Sequence, residues 1–346
     1  MKVKAGCYTA LVTPFDGAAV DTEGLSRLID FQIENGITGI LAVGTTGESP
    51  TLSWEEHNTV VEAVAKKAKD KCICIAGTGS NNTAEALEAS RHAVAVGADA
   101  VLLVDPYYNG PSSIEIRREY VAPIAEAFPQ TAVIPYVIPG RTGCQLLAED
   151  LALLNRQYPN VSAVKEATAN PENMRHTRAC CGDDFMILSG DDAMTFEMMT
   201  DPKIGASGVI SVVSNVVPGA VVKMVGHLIA GDRAAAEKVL GDIKPLFGLV
   251  TVKNMEQTPF GEVEVRARNP LAIKTLMAIL GMPSGPCRRP LGKMSPGGLA
   301  KVVEAARAVQ ARNPDIFRPI AEFFGMDVDD RLSDPERLQG LSYESY

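Results

Sequence analysis

Lys165 closes the apolar run Val161-Ser162-Ala163-Val164, so its ammonium projects from a strand and not from a solvated helix face. Burial disfavours the charged form of a lysine, and the neutral amine that results can add to a carbonyl and form a Schiff base. A buried ion pair with Glu166 fits the position about as well, although side chains alternate along a strand and Glu166 should point the other way. Tyr136 ends the preceding apolar run. Its phenol could hand protons between a carbinolamine, water and substrate, or simply line a barrel. The loop Gly44-Thr45-Thr46-Gly47-Glu48 sets two hydroxyls between glycines, where backbone N–H groups can approach a carboxylate; it is equally a common tight turn. Gly77-Thr78-Gly79 opens like a dinucleotide fingerprint, but Asn82 stands where a third glycine is needed. Gly205-Ala206-Ser207-Gly208 could cradle a phosphate or leave room for a substrate, with Lys203 as its nearby basic residue.

The elements that carry these residues alternate in texture. Apolar β-branched runs predict strands at Cys7–Val12, Ile40–Val43, Cys72–Ala76, Ala100–Val104, Thr131–Tyr136, Val161–Lys165, Met186–Ser189 and Gly208–Val212. Amphipathic runs between them predict helices, from Thr22–Glu34 and Ser53–Lys69 to Pro218–Ala230, with Ser53 and Glu56 spaced as a capping box. Near-continuous apolar strands point to a parallel sheet covered on both faces. Eight strand–helix pairs fit a (β/α)8 barrel, and a doubly wound sheet would give the same string. The barrel is favoured because Thr45-Thr46, Tyr107-Tyr108, Tyr136 and Lys165 all fall at carboxyl ends of strands, which converge on one mouth in a barrel.

Composition excludes several classes. The chain has 346 residues, 46% of them hydrophobic, and a net charge of −9, which argues against sequence-independent nucleic-acid binding. Seven scattered cysteines suit reduced thiols, and neither a C-x-x-C pair nor a histidine cluster suggests a metal. Pro14 and Asp16 interrupt the N-terminal apolar stretch, and Asn215, Pro218, Lys223 and His227 interrupt the longest one, so neither a signal peptide nor a membrane span is expected. The expectation is a soluble, cytoplasmic protein. Residues 1–230 are expected to form the barrel and 231–312 a helical domain, with 251–268 an extended loop or short hairpin. The proline-containing, acidic stretch 313–346 reads as a surface-hugging or partly ordered extension.

Taken together, the motifs resemble the dihydrodipicolinate synthase/N-acetylneuraminate lyase family of class I aldolases. The matching stretches are Gly44 to Ser49, Ala76 to Gly79, Asp105 to Asn109, Pro135 to Gly143, Val164 to Thr168, Ser189 to Asp192 and Gly205 to Ser211, in the family's order. A looser match covers Asn269-Pro270, Lys274 and Arg289-Pro290-Leu291. The segments 251–268 and 313–346 have no counterpart in that pattern.

The resemblance implies a (β/α)8 barrel followed by a C-terminal helical domain, and a covalent imine on Lys165 in place of a cofactor or metal. It implies a proton relay of Thr45, Tyr136 and Tyr108, with Tyr108 reaching a neighbouring subunit's site. Thr45 and Thr46 would hold the carboxylate of pyruvate, and Ile210 and Gly190 would line the site. Arg141 would bind the carboxylate of L-aspartate 4-semialdehyde, a role sialic-acid lyases lack; a loop-bracing salt bridge is the plainer reading of the same residue. Val137 stands where the family carries Asn, which leaves open a sibling aldolase acting on a sugar acid, sialic acid or hydroxyproline-derived keto acid. Ser49, Trp54, His57, Asn81, Glu85 and Tyr107 match positions that bind inhibitory L-lysine at a dimer interface, so a homodimer or homotetramer is implied. A non-catalytic binding protein on the same barrel would not need Lys165 and its hydroxyls.

Overall fold

The computed structural model describes residues 3–346; residues 1 and 2 of the expected barrel segment lie outside the described residues. Eight parallel strands close on themselves: β1 (Gly6–Ala10), β2 (Gly39–Ala42), β3 (Ile73–Gly77), β4 (Ala100–Val104), β5 (Ala132–Val137), β6 (Ala163–Glu166), β7 (Met186–Ser189) and β8 (Gly208–Ser211). Closure is made by β1, which pairs with β2 on one side and β8 on the other. The sheet is therefore a (β/α)8 barrel and not an open doubly wound sheet.

Strand alternation sorts the apolar residues into two layers. Tyr8, Leu41, Ile75, Leu102, Ile134 and Ile210 fill the barrel interior. Their chain neighbours Cys7, Ile40, Cys74, Val101, Val133 and Val209 pack outward against the helices. These include α1 (Thr22–Glu34), α2 (Trp54–Ala68), α3 (Thr83–Ala95), α4 (Ala122–Ala127), α5 (Ala148–Gln157), α6 (Pro171–Cys181), α7 (Thr195–Thr200) and α8 (Pro218–Ile229). The Ser53 and Glu56 capping box starts α2 as its spacing predicts. A π-helical turn, Ile116–Val121, precedes α4.

Beyond the barrel come α9 (Arg233–Phe247), a hairpin of β9 (Thr251–Thr258) and β10 (Gly261–Arg268), then α10 (Leu271–Ile279) and α11 (Pro296–Arg312). The hairpin is fully paired from Thr251 opposite Arg268 to Thr258 opposite Gly261, a more regular element than the loop or short hairpin expected there. Lys274 on α10 and Glu48 form a fully buried ion pair at 2.7 Å, and the same ammonium donates to the carbonyls of Thr13 and Pro286. Arg288 donates its backbone N–H to the other Glu48 oxygen and pairs its guanidinium with Glu56. These bonds tie the post-barrel helices to the loop after β2.

The stretch 313–346 folds back on the same chain. It forms α12 (Arg318–Phe324) and α13 (Val328–Ser333) and buries Phe317, Ile320, Phe324, Val328 and Leu332. The rings of Phe323 and Phe324 lie 5.4 and 5.1 Å from that of Phe31 on α1, and the Arg27 guanidinium covers Phe324. The Arg331 guanidinium donates to the carbonyls of Ala278 and Ile279 at the end of α10. Its acidic and proline-containing sequence hid a packed element because the apolar residues fall at helical spacing only within very short helices. Phe324→Ala should cost about 3 kcal/mol of stability, read as a lower urea midpoint at unchanged slope; an unchanged midpoint would show that the tail braces nothing.

Candidate active site

Lys165 shares the parity of Ala163 on β6, so it points into the barrel while Val164 and Glu166 face outward. It is 4% exposed. Its register partner on β5 is Tyr136, and its ammonium lies 4.1 Å from the centre of the Tyr136 ring. Gly190, just past β7, allows this packing: a Cβ there would sit 2.8 Å from the Ala167 Cβ and 3.2 Å from the Lys165 Cε. Glu166 instead accepts from the Thr168 N–H and the Asn173 amide, which removes it as the lysine's ion-pair partner.

Burial is the main force on the lysine. It lowers the Lys165 pKa from 10.5 to about 7; the Asp192 carboxylate opposes this and the Arg141 guanidinium adds to it. The Tyr136 ring favours the cation, but a cation–π contact is worth about 2 kcal/mol even when desolvated. A large fraction of the amine is therefore neutral near pH 7. The Tyr136 phenol is held protonated: burial raises its pKa to about 12, against the opposing effects of Arg141 and a hydrogen bond with Thr45. A neutral amine beside a protonated phenol suits nucleophilic addition followed by proton delivery.

Asp192 is the functional group that the sequence left without a role, although it lies in the Ser189-Gly190-Asp191-Asp192 stretch. It is buried and accepts from the Ser211 hydroxyl and from the backbone N–H groups of Val212 and Val213. Burial raises its pKa to about 6, with those hydrogen bonds pulling the other way. It thus places a fixed, hydrogen-bonded charge near Lys165.

A cavity of about 250 Å³ is lined by Thr45, Ser49, Tyr107, Arg141, Thr142 and Tyr136, among others, and the ring of Tyr136, the register partner of Lys165, separates it from that buried lysine. Thr46 is buried beside it and accepts at 2.8 Å from the Asn269 amide, an approach that no sequence signal in the loop announced. Arg141 sits on a single helical turn, Pro139–Thr142, and donates to the Asn269 carbonyl at 3.2 Å. Burial lowers its pKa, as do the charges of Arg268 and Arg266. Ile210 belongs to the apolar barrel lining. Val137, the departure from the family pattern, lies in the outer apolar layer and not in the cavity wall.

The other expected residues separate. His57 is buried, donates from Nε2 to the Gly77 carbonyl at 2.9 Å, and packs its ring against the half-exposed Trp54. Burial lowers its pKa and so favours the neutral ring. Glu85 accepts from the Ser80 hydroxyl and raises the Tyr107 pKa, second to burial. Asn81 opens onto a separate hollow near Asn109 and Tyr120. Tyr108, at φ +78°, is 92% exposed and does not reach the cavity of its own chain. The glycine stretch 205–208 leads into the amino end of β8, opposite the mouth, so it is not positioned to cradle a phosphate at this site.

Metal-ligating types do meet elsewhere. Glu149 on α5 and His176 and Cys180, one helical turn apart on α6, bring one donor atom each within 4.8 Å of one another at the surface. The sequence does not announce this cluster because Glu149 is distant in the chain. Asp192→Asn should lower the Lys165 pKa further, so the acid limb of imine formation with an α-keto acid, trapped by borohydride at Lys165, moves down by about one pH unit; movement upward would contradict a stabilising effect of the Asp192 charge on the ammonium.

Comparison with known proteins agrees with this geometry. The sequence model of the Dihydrodipicolinate synthetase family matches residues 4–309. A 4-hydroxy-tetrahydrodipicolinate synthase of Geobacter sulfurreducens is 41% identical over 305 residues, covering 88% of this chain and 98% of that protein. The solved 4-hydroxy-tetrahydrodipicolinate synthase of Methylacidiphilum fumariolicum superposes with a TM-score of 0.82 at 34% identity, covering 92% of this chain and 99% of that one. The lysine-bound dihydrodipicolinate synthase of Cyanidioschyzon merolae gives a TM-score of 0.79 at 34% identity, covering 88% and 98% of the two chains. Barrel, strand-end lysine and sequence match agree: the chain belongs to the dihydrodipicolinate synthetase family.

Proposed function

We propose that the chain is a Schiff-base lyase that condenses pyruvate with L-aspartate 4-semialdehyde to 4-hydroxy-tetrahydrodipicolinate, in the cytoplasm, as a step of lysine and diaminopimelate biosynthesis. The observation that carries the reading is the buried Lys165, its pKa lowered to about 7, beside the protonated Tyr136. In this scheme the Lys165 amine adds to the ketone carbon of pyruvate, and Tyr136 and Thr45 pass protons while water leaves. The imine loses a methyl proton to give an enamine, whose carbon attacks the aldehyde. The amino group of the joined product then displaces the lysine, which closes the ring and frees Nζ. The imine nitrogen serves as the electron sink, so neither an organic cofactor nor a metal enters the scheme.

Recognition is divided between two groups. The Thr45-Thr46 loop takes the pyruvate carboxylate, and Arg141 takes the carboxylate of the aldehyde, a match of planar fork to planar anion. Tyr108 is assigned to the relay of a second copy, which makes the working unit at least a homodimer. Ser49, Trp54, His57, Asn81, Glu85 and Tyr107 are assigned to an L-lysine site at that interface. Its support is the proximity of Glu85 to Tyr107 and the Trp54–His57 contact. The sibling reading depends on Val137, and that side chain is turned away from the cavity.

Borohydride added with pyruvate should trap a mass adduct on Lys165, lost in Lys165→Ala, which should also lower turnover by about a thousandfold or more. Initial rates should favour L-aspartate 4-semialdehyde over sialic acid and 2-keto-3-deoxy sugar acids and fall with millimolar L-lysine. An adduct at Lys165 with preference for a sugar acid would overturn the substrate assignment; no adduct would overturn the reaction.

A further inference from the structure

The hairpin β9–β10, like the stretch 313–346, has no counterpart in the family's motif pattern, yet it is joined to the substrate loop by a reciprocal pair of bonds. The Arg268 guanidinium, on the last residue of β10, donates to the Gly140 carbonyl at 3.1 Å. One residue along, the Arg141 guanidinium donates to the Asn269 carbonyl at 3.2 Å. Each segment thus holds the other's main chain with its own arginine. Asn269 then reaches Thr46, so the end of the hairpin touches both loops to which substrate carboxylates are assigned.

The hairpin is stiff enough to act as a fixed mount. Its strands pair along all eight positions, and Asn254 and Glu256 on β9 bond Ser295 and Gly297 at the start of α11. The turn that carries Arg141 is only four residues long, so an outside tie has much to fix. Charge adds a second observation. Among the described residues, no carboxylate lies within 4.0 Å of Arg141, Arg266 or Arg268, although 42 acidic residues outnumber the 33 basic ones. Three guanidinium groups without ion-pair partners, beside the mouth of an acidic protein, create a local positive field that the net charge would not supply.

We infer that Arg268 is a positioning and specificity-determining residue: it holds the Arg141 turn and, with Arg266, supplies the field that draws the carboxylate of the aldehyde substrate. This rests on the condensation proposed above. Arg268 need not touch the substrate; it fixes the residue that does, while the Thr45-Thr46 loop keeps its own tie through Asn269. Its effect is therefore concentrated on the second substrate.

Arg268→Ala should raise KM for L-aspartate 4-semialdehyde about tenfold with kcat and the pyruvate KM within about twofold, and should flatten the dependence of that KM on salt. Arg268→Lys, which keeps the charge and a donor, should recover most of the loss. Phe260→Ser at the exposed hairpin tip should behave as the parent. The inference is overturned if the aldehyde KM stays within twofold in Arg268→Ala, or if both KM values rise together as from general loosening. Pyruvate trapping at Lys165 separates the two levels: no adduct in the unaltered protein would sink the reaction itself, whereas an intact adduct with an unmoved aldehyde KM would sink only the role of Arg268.

Discussion

Taking the Lys165 ammonium out of water is the constraint on which the site depends. Lowering its pKa from 10.5 to about 7 means that the folded protein disfavours the charged amine by about 5 kcal/mol relative to water. That cost is imposed by the barrel interior: the residue is fixed by parity on β6, walled by the Tyr136 ring and laid over Gly190. Asp192 counters part of it, which keeps the amine near its working range and not far below it. The same burial that lowers the lysine raises the phenol, so one environment prepares both the nucleophile and the proton donor.

The post-barrel elements hold this arrangement at its rim. Buried Lys274 and Glu48 fix the loop after β2, and Arg288 seals it from the other side. Breaking such a pair by removing one partner typically costs about 3–5 kcal/mol, since the remaining charge stays buried. Asn269 bonds Thr46 from the same region, and Arg141 and Arg268 interlock the next loop with the hairpin. The barrel therefore supplies the reactive groups, and residues more than a hundred positions away in sequence hold the loops that receive the anions.

Strands, most helices and the placing of Lys165 and Tyr136 at the ends of successive strands were legible because they depend on local periodicity, which a sequence displays directly. Ala100–Val104, Met186–Ser189 and Thr22–Glu34 fall at the predicted residues, and several other ends shift by one residue or more. What sequence concealed was tertiary. Nothing in Val263 to Arg268 shows that an arginine would reach Gly140, and nothing near Phe324 shows that Phe31 would cover it. The direction of Val137 was decidable from strand parity once Tyr136 was placed inside, since adjacent side chains face opposite sides.

Whether Lys165 is a desolvated amine near neutrality can be measured without substrate. NMR titration of protein labelled with carbon-13 at the lysine Cε, with the resonance assigned by Lys165→Arg, reports this residue's pKa. A midpoint near 7 is predicted; a midpoint near 10 would show a solvated or ion-paired lysine and contradict the role of burial in preparing the nucleophile.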